Sequence, residues 1–267
     1  TAFFSYLCCM IALPKIEDPR GNLSFIEHGE RGACPFEIGR VSWIYDVPTG
    51  RVRRLPAVPS PRMLVAMSGS FDAADVRLTR SDRGLPIAPG TETRLGHFAT
   101  NSVAMILGGE DGASEPCQCG DMPDSHAISS VDACRVMELP RRRDADGSVT
   151  EVVNGNPGIP FDVRRVFYLY DVPADATRGG HSHHRAQEMI VALTGCFDVV
   201  LDDGCRAPRR FSLNRPYQAL YIPAGLWRTL DNFSGGAVCL VLTSERYSEE
   251  DYVRDYDRFK ELTAHKQ

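Results

Sequence analysis

Phe36-Glu-Ile-Gly-Arg-Val-Ser-Trp-Ile-Tyr-Asp-Val-Pro48 returns 125 positions later as Phe161-Asp-Val-Arg-Arg-Val-Phe-Tyr-Leu-Tyr-Asp-Val-Pro173. Met63-Leu-Val-Ala-Met-Ser-Gly-Ser-Phe-Asp72 returns 126 positions later as Met189-Ile-Val-Ala-Leu-Thr-Gly-Cys-Phe-Asp198. Two matches in the same order, with a one-residue gap between them, mean a duplication, so one half cannot adopt a fold that the other lacks. The halves run over 10–108 and 134–267. Residues 109–133, rich in Gly, Ser, Asp and Pro, read as the linker.

Each half reads as β-rich. Arg165–Tyr170, Met189–Leu201, Ala219–Ile222 and Ala237–Thr243 are rich in β-branched and aromatic residues and bounded by Gly, Pro, Asp or Asn. Asp202-Asp-Gly204 is a tight-turn signal. Many short strands in close succession predict a barrel or jelly roll, so the fold class is all-β with two tandem domains. One short C-terminal helix is predicted. Ser248 is its N-cap, Asp251 lies three residues later, and Tyr252, Tyr256 and Phe259 form an apolar stripe.

Composition removes several function classes. The net charge of −5, from 30 Lys+Arg against 35 Asp+Glu, concentrates neither sign and excludes a nucleic-acid partner. No apolar run reaches the roughly 18 residues of a membrane span, so no membrane partner is expected. The nine cysteines follow no disulfide framework and point to a reducing cytoplasm, with Cys196 and Cys239 read as small core residues. Met10 reads as a natural start and residues 1–9 as an upstream extension. Cys117, Cys119, His126 and Cys134 match no familiar zinc spacing and are read as loop residues.

Chemistry concentrates in Arg178-Gly-Gly-His-Ser-His-His-Arg-Ala-Gln-Glu188, followed by Gly195. In an extended strand, residues two apart share a face, so His181 and His183 point the same way and His184 points outward. A single histidine in a β-rich core is most often structural. A pair flanked by Arg178 and Glu188 fits metal binding or proton transfer better. Two imidazoles in one pocket resist being charged together, which separates their pKa values and suits one to act as base and the other as acid.

His181-x-His183-x4-Glu188-x6-Gly195 resembles the first motif of the cupin superfamily, and Pro223-Ala-Gly-Leu-Trp-Arg-Thr-Leu-Asp-Asn232 resembles the second. Metal-binding cupins carry a histidine where Arg228 stands. A guanidinium cannot ligate a metal, so no metal and no cofactor is expected. The second half resembles more narrowly the sugar-nucleotide 3,4-ketoisomerases. The resemblance rests on Phe161–Pro173, Arg178–His183, Phe197–Gly204 and Tyr252–Phe259. It implies metal-free conversion of dTDP-4-keto-6-deoxyglucose to a 3-keto sugar through an enediol, in deoxysugar biosynthesis. It assigns His181 as base and His183 as proton shuttle or orienter. Arg165 and Arg178 match the arginines near nucleotide and sugar, and Glu188, Tyr221, Trp227 and Arg228 are further expected substrate contacts. The family often has tyrosine where Phe167 stands.

In the first half, Leu55 and Ala57 occupy the histidine positions, which predicts a non-catalytic domain. Arg51, Arg53, Arg54 and Arg62 could bind an anion, but a solvated loop is the preferred reading. Single-cupin relatives exchange amino-terminal strands in dimers. The resemblance therefore implies a pseudo-dimer within one chain, with a homodimer as its further assembly and with Arg20 of Asp18-Pro-Arg-Gly21 crossing to complete the site around His181. Two alternatives stand beside the isomerase: a cupin 3,5-epimerase, and a non-catalytic module binding the nucleotide sugar.

Overall fold

The computed structural model describes residues 10–29, 32–110 and 129–264. Their structure is β throughout apart from two short 3-10 turns and one α-helix, Tyr256–Ala264. The chain forms two compact units that are not contiguous in sequence. Among the described residues, the first unit holds those within Thr1–Lys15, Ser24–Pro116 and Leu139–Ile159, and the second those within Ile16–Leu23, Cys117–Glu138 and Pro160–Gln267. Each unit thus contains a segment from the other half of the sequence. The division at 108 and 134 follows chain order, whereas the units divide by packing.

In the first unit a seven-stranded sheet runs in the order Ile11–Ala12, Arg83–Ile87, Arg62–Ser68, Val103–Gly109, Ile38–Tyr45, Gly147–Val153, Arg141–Asp144. A four-stranded sheet runs Arg53–Leu55, Thr93–Gly96, Phe71–Ala73, Val76–Leu78. Side chains alternate along a strand, so one face of each sheet supplies the core. Ile44, Leu64 and Ile106 of the larger sheet meet Phe71, Leu78 and Leu95 of the smaller in one apolar cluster. Each such buried side chain contributes about 1.5–3 kcal/mol.

The second unit repeats the plan. Its larger sheet contains Arg135–Glu138, Gln218–Ile222, Glu188–Thr194, Val238–Thr243 and Arg165–Tyr170 in that order. Its smaller sheet runs Arg209–Leu213, Phe197–Asp202, Trp227–Asp231, Arg178–His183, Tyr252–Val253. Among the described residues the two sheets of each unit stay separate, the layering of a jelly roll rather than one continuous barrel.

The duplication persists in fine geometry. Asp46 and Asp171 hold φ of 55° and 53°, and Gly69 and Gly195 hold 63° and 66°. The hydroxyls of Ser102 and Ser234 accept from the amides of Ser70 and Cys196. Phe71 stacks on Phe98 with centroids 5.2 Å apart, and Phe197 on Phe233 at 5.1 Å. Gly195 also explains why the single apolar run Met189–Leu201 becomes two strands. Its left-handed backbone turns the chain, and a Cβ there would lie 2.9 Å from Ala237 Cα.

The carboxy-terminal helix begins later than its stripe predicts. Ser248 precedes a 3-10 turn, Glu249–Asp251, without capping it through its side chain, and Tyr252–Val253 is a strand. Tyr256 and Phe259 remain helical. Cys239 is buried, but Cys196 follows the Gly195 turn and is exposed, contrary to its reading as a core residue. Thr1–Cys9, Cys117, Cys119 and His126 lie outside the described residues, and Cys134 is buried. Among the described residues no helix is long and apolar enough to cross a membrane.

Candidate active site

The histidine strand Arg178–His183 carries a bulge. Arg178 lies opposite Leu230 and Gly179 opposite Thr229, and the register then skips Gly180 to put His181 opposite Arg228. Leu230 and Arg228 share a face, so the extra residue brings Arg178 onto the face of His181 although they are three apart in sequence. Gly179 and Gly180 supply the positive φ angles, 82° and 70°, that the bulge needs. Arg178, His181 and His183 thus line one side of the strand, and all three are buried. His184 is exposed, as the alternation predicts.

The two imidazole centroids are 5.0 Å apart and nearly perpendicular. Tyr252, opposite His183 in the neighbouring strand, packs its ring 4.9 Å from His181 and 4.4 Å from His183. Its hydroxyl accepts from Arg165 Nη2 at 3.0 Å. His183 Nδ1 is 2.9 Å from Asp251 Oδ2, and its Nε2 is 3.5 Å from Glu188 Oε1. Asp251 is fixed in turn by the amides of Arg185 and Ala186 at 2.7 and 3.2 Å. Beneath the histidines Arg228 grips Glu188 with two donors, Nε to Oε2 and Nη2 to Oε1, the latter at 2.8 Å. The Nε2 atoms of His181 and His183 are both buried with no hydrogen-bond partner among the described residues, which leaves each ring nitrogen for a reacting group.

These surroundings drive the histidines apart in proton affinity. Burial pushes His181 well below the usual histidine range, and the charges of Arg228 and His183 push the same way. Burial also disfavours charge on His183, but the hydrogen bond to Asp251 and the nearby Glu188 carboxylate outweigh it and raise its affinity. Glu188 stays far below the usual carboxylate range, because Arg228 and His183 overcome its desolvation. The pocket therefore presents one imidazole kept neutral, with its ring nitrogen free to accept a proton, beside one whose proton affinity is raised.

The donor atoms of His181, His183 and Glu188 lie within 4.8 Å of one another, close enough for three metal ligands. Their partners argue against that use. Both Glu188 oxygens accept from a buried, permanently charged guanidinium, which would face any cation held there. The residues fit a metal poorly.

Arg178 donates to the Gly21 carbonyl at 3.0 Å and lies 3.9 Å from Asp18, whose carboxylate pairs with Arg20. Arg20 and Arg178, with Pro19, Pro173, Gly179 and Gly180, line a cleft of about 550 Å³. Arg20 is mostly exposed there and belongs to the same unit as the histidines. Arg165 extends over the rings of Phe167 and Tyr247.

Two expected substrate contacts lie elsewhere. Tyr221 is opposite Met189 in the ladder, hence on the far face of the sheet from Glu188, and its hydroxyl donates to Gln187 Oε1 at 2.6 Å. Trp227 points away from its neighbour Arg228 and packs on Tyr256 and Phe259 of the helix, at 5.1 and 5.6 Å. Alternation alone separates each from the histidine face. Conversely, the sequence reading missed Asp251 and Tyr252, which it placed in a helix. The usable signal was chemical: a catalytic imidazole needs an orienting acceptor.

The family model described as FdtA: WxcM-like, C-terminal, matches residues 7–113 and 132–264. A TDP-4-oxo-6-deoxy-alpha-D-glucose-3,4-oxoisomerase from Aneurinibacillus thermoaerophilus is 35% identical over 130 residues, covering 49% of this chain and 92% of that protein. A 3,4-ketoisomerase structure from Helicobacter canadensis is 35% identical with a TM-score of 0.47, covering 49% of this chain and 98% of the other. A mutant of the 3,4-ketoisomerase QdtA from Thermoanaerobacterium thermosaccharolyticum, in complex with TDP-4-keto-6-deoxyglucose, is 33% identical with a TM-score of 0.47 and covers 50% and 95%.

Proposed function

The chain belongs to the FdtA, WxcM-like C-terminal family, and on that premise we propose that it isomerises a thymidine diphosphate-linked 4-keto-6-deoxyglucose to the 3-keto sugar. The observation that carries the mechanism is the pair of buried imidazoles 5.0 Å apart, whose surroundings push their proton affinities in opposite directions.

The reaction moves two protons. Breaking the C3–H bond delivers its electrons to a C3–C4 double bond while the C4 carbonyl oxygen gains a proton, giving an enediol. Loss of the O3 proton then re-forms a carbonyl at C3 as C4 is protonated. Neutral His181, its Nε2 unpartnered, is the base for C3–H and returns the proton at C4. His183, held by Asp251, supplies and recovers the proton on oxygen. The Arg165–Tyr252 contact offers a donor for the developing negative oxygen. Arg178 and Arg20, on one cleft, suit the diphosphate. Glu188 and Arg228 fix the charge beneath the pair.

We further read the chain as a pseudo-dimer, in which units that exchange segments reproduce within one polypeptide the strand exchange expected between single-domain copies. The test is incubation with dTDP-4-keto-6-deoxyglucose in deuterated water, followed by NMR. A 3-keto product with deuterium at C4 is expected. Exchange at C5 alone would replace this reading with epimerisation.

A further inference from the structure

The first unit has no imidazole pair, yet its equivalent pocket is strongly basic. Arg40 stands in the Arg165 position of the repeat and Arg62 in that of Glu188. Arg53 lies opposite Leu95 in the ladder, as Arg178 lies opposite Leu230, and pairs with Asp144 at 2.8 Å. Arg62 lies opposite Gly108, as Glu188 lies opposite Thr243. The duplicate has therefore kept two of the arginines, lost the proton-transfer groups and exchanged the one inward carboxylate for a third cation.

Of the arginines read as a solvated loop, Arg51 and Arg54 are exposed, whereas Arg53 and Arg62 are not. Arg62 is 7% exposed and the Arg53 side chain 13%. With Arg40, Arg54 and Arg142 they line a cavity of about 210 Å³ that also includes Glu151. Arg62 spends two donors on the carbonyls of Pro56 and Thr91, at 2.9 and 2.5 Å, but its Nε is buried without a partner among the described residues. Arg53 Nε and Nη2 are likewise unpartnered. Burial lowers the proton affinity of Arg62, whereas Glu188 raises that of the buried Arg228 in the other unit. A buried cation with orphaned donors implies an anionic partner.

We propose that this cavity is a second, non-catalytic binding site for an oxyanion of the phosphate class, held by Arg53 and Arg62. The cavity is smaller than the roughly 300–1,000 Å³ of an ordinary small-molecule site, so it takes a phosphate or pyrophosphate group rather than a whole nucleotide sugar. A guanidinium fork suits that geometry.

The test is calorimetric titration of the full chain with pyrophosphate, and in a separate arm with dTDP. Wild type should bind pyrophosphate at a site that Arg53→Gln weakens roughly tenfold or more, while isomerase activity and melting temperature in buffer stay near wild type. A charge-retaining Arg62→Lys variant should weaken the same site. An Arg178→Gln variant, altered only in the other unit, should leave it intact. Binding of dTDP but not pyrophosphate at this site would mean that the nucleoside is required and would overturn the size argument. Pyrophosphate binding that is absent from wild type, or indifferent to Arg53→Gln and Arg62→Lys, would overturn the proposal. None of these outcomes depends on which reaction the histidine unit performs.

Discussion

Replacing Asp251 by Asn isolates the element that sets His183 apart from His181. The substitution keeps the side-chain shape and a carbonyl acceptor for one of the two amides, Arg185 at Oδ1 or Ala186 at Oδ2, and removes the charge 2.9 Å from His183 Nδ1. A hydrogen bond to a charged group contributes about 1.5–3 kcal/mol, and one pH unit of proton affinity is about 1.4 kcal/mol. The affinity of His183 should therefore fall. Its affinity in the native state is raised. The stability it contributes is thus fully present below the unfolded value of 6.5 and is lost as pH rises through the native value. Asp251→Asn should consequently cost about 1.5–3 kcal/mol near pH 6 and much less near pH 9. The assays are denaturant unfolding at both pH values and the pH profile of kcat/KM, whose alkaline limb should move to lower pH. An unmoved alkaline limb, or an equal stability loss at both pH values, would refute the assignment of His183 as the proton holder.

Removing the charge of Glu188 with Gln leaves Arg228 buried without a counter-charge and should cost about 3–5 kcal/mol in chemical denaturation. Gly179→Ala should damage stability and turnover more than Gly180→Ala. A Cβ at Gly179 would meet the Arg228 carbonyl at 2.8 Å and at Gly180 it meets nothing within 4 Å, although both need a positive φ. Because the affinity of His181 is lowered, its base form persists on acidification, and the acid limb of kcat/KM should lie below pH 6.5. Treatment with a strong chelator should leave turnover unchanged, since the Glu188 carboxylate is committed to Arg228; a loss restored by one divalent metal would overturn that reading.

Periodicity and the repeat made much of this molecule legible. The alternation that put His181 and His183 on one face holds, and the duplicated Tyr-Asp-Val-Pro and Gly-x-Phe-Asp segments keep the same backbone angles in both units. Strand parity also held the information that Tyr221 and Trp227 face away from the histidines. Other features depend on pairing between distant strands, which no local pattern encodes. The bulge that swings Arg178 onto the histidine face is visible only in its register with Leu230 and Arg228. Tyr252 and Asp251 looked helical because their spacing from Tyr256 and Phe259 fits a helix. The ladder with Ser182 and His183 overrides that preference and builds half of the site. Nor does a run of arginines reveal burial, so Arg53 and Arg62 read as surface until the two sheets that carry them are laid face to face.

The central claim is that His181 takes the C3 proton. Its most direct test is the rate of solvent deuterium exchange into the bound sugar, followed by NMR, for wild type, His181→Asn and His183→Asn. Loss of a general base costs about 10²–10⁴-fold. His181→Asn should lower the exchange by that factor while still binding the nucleotide sugar, with His183→Asn slowing turnover. Exchange at the wild-type rate in His181→Asn would contradict the account.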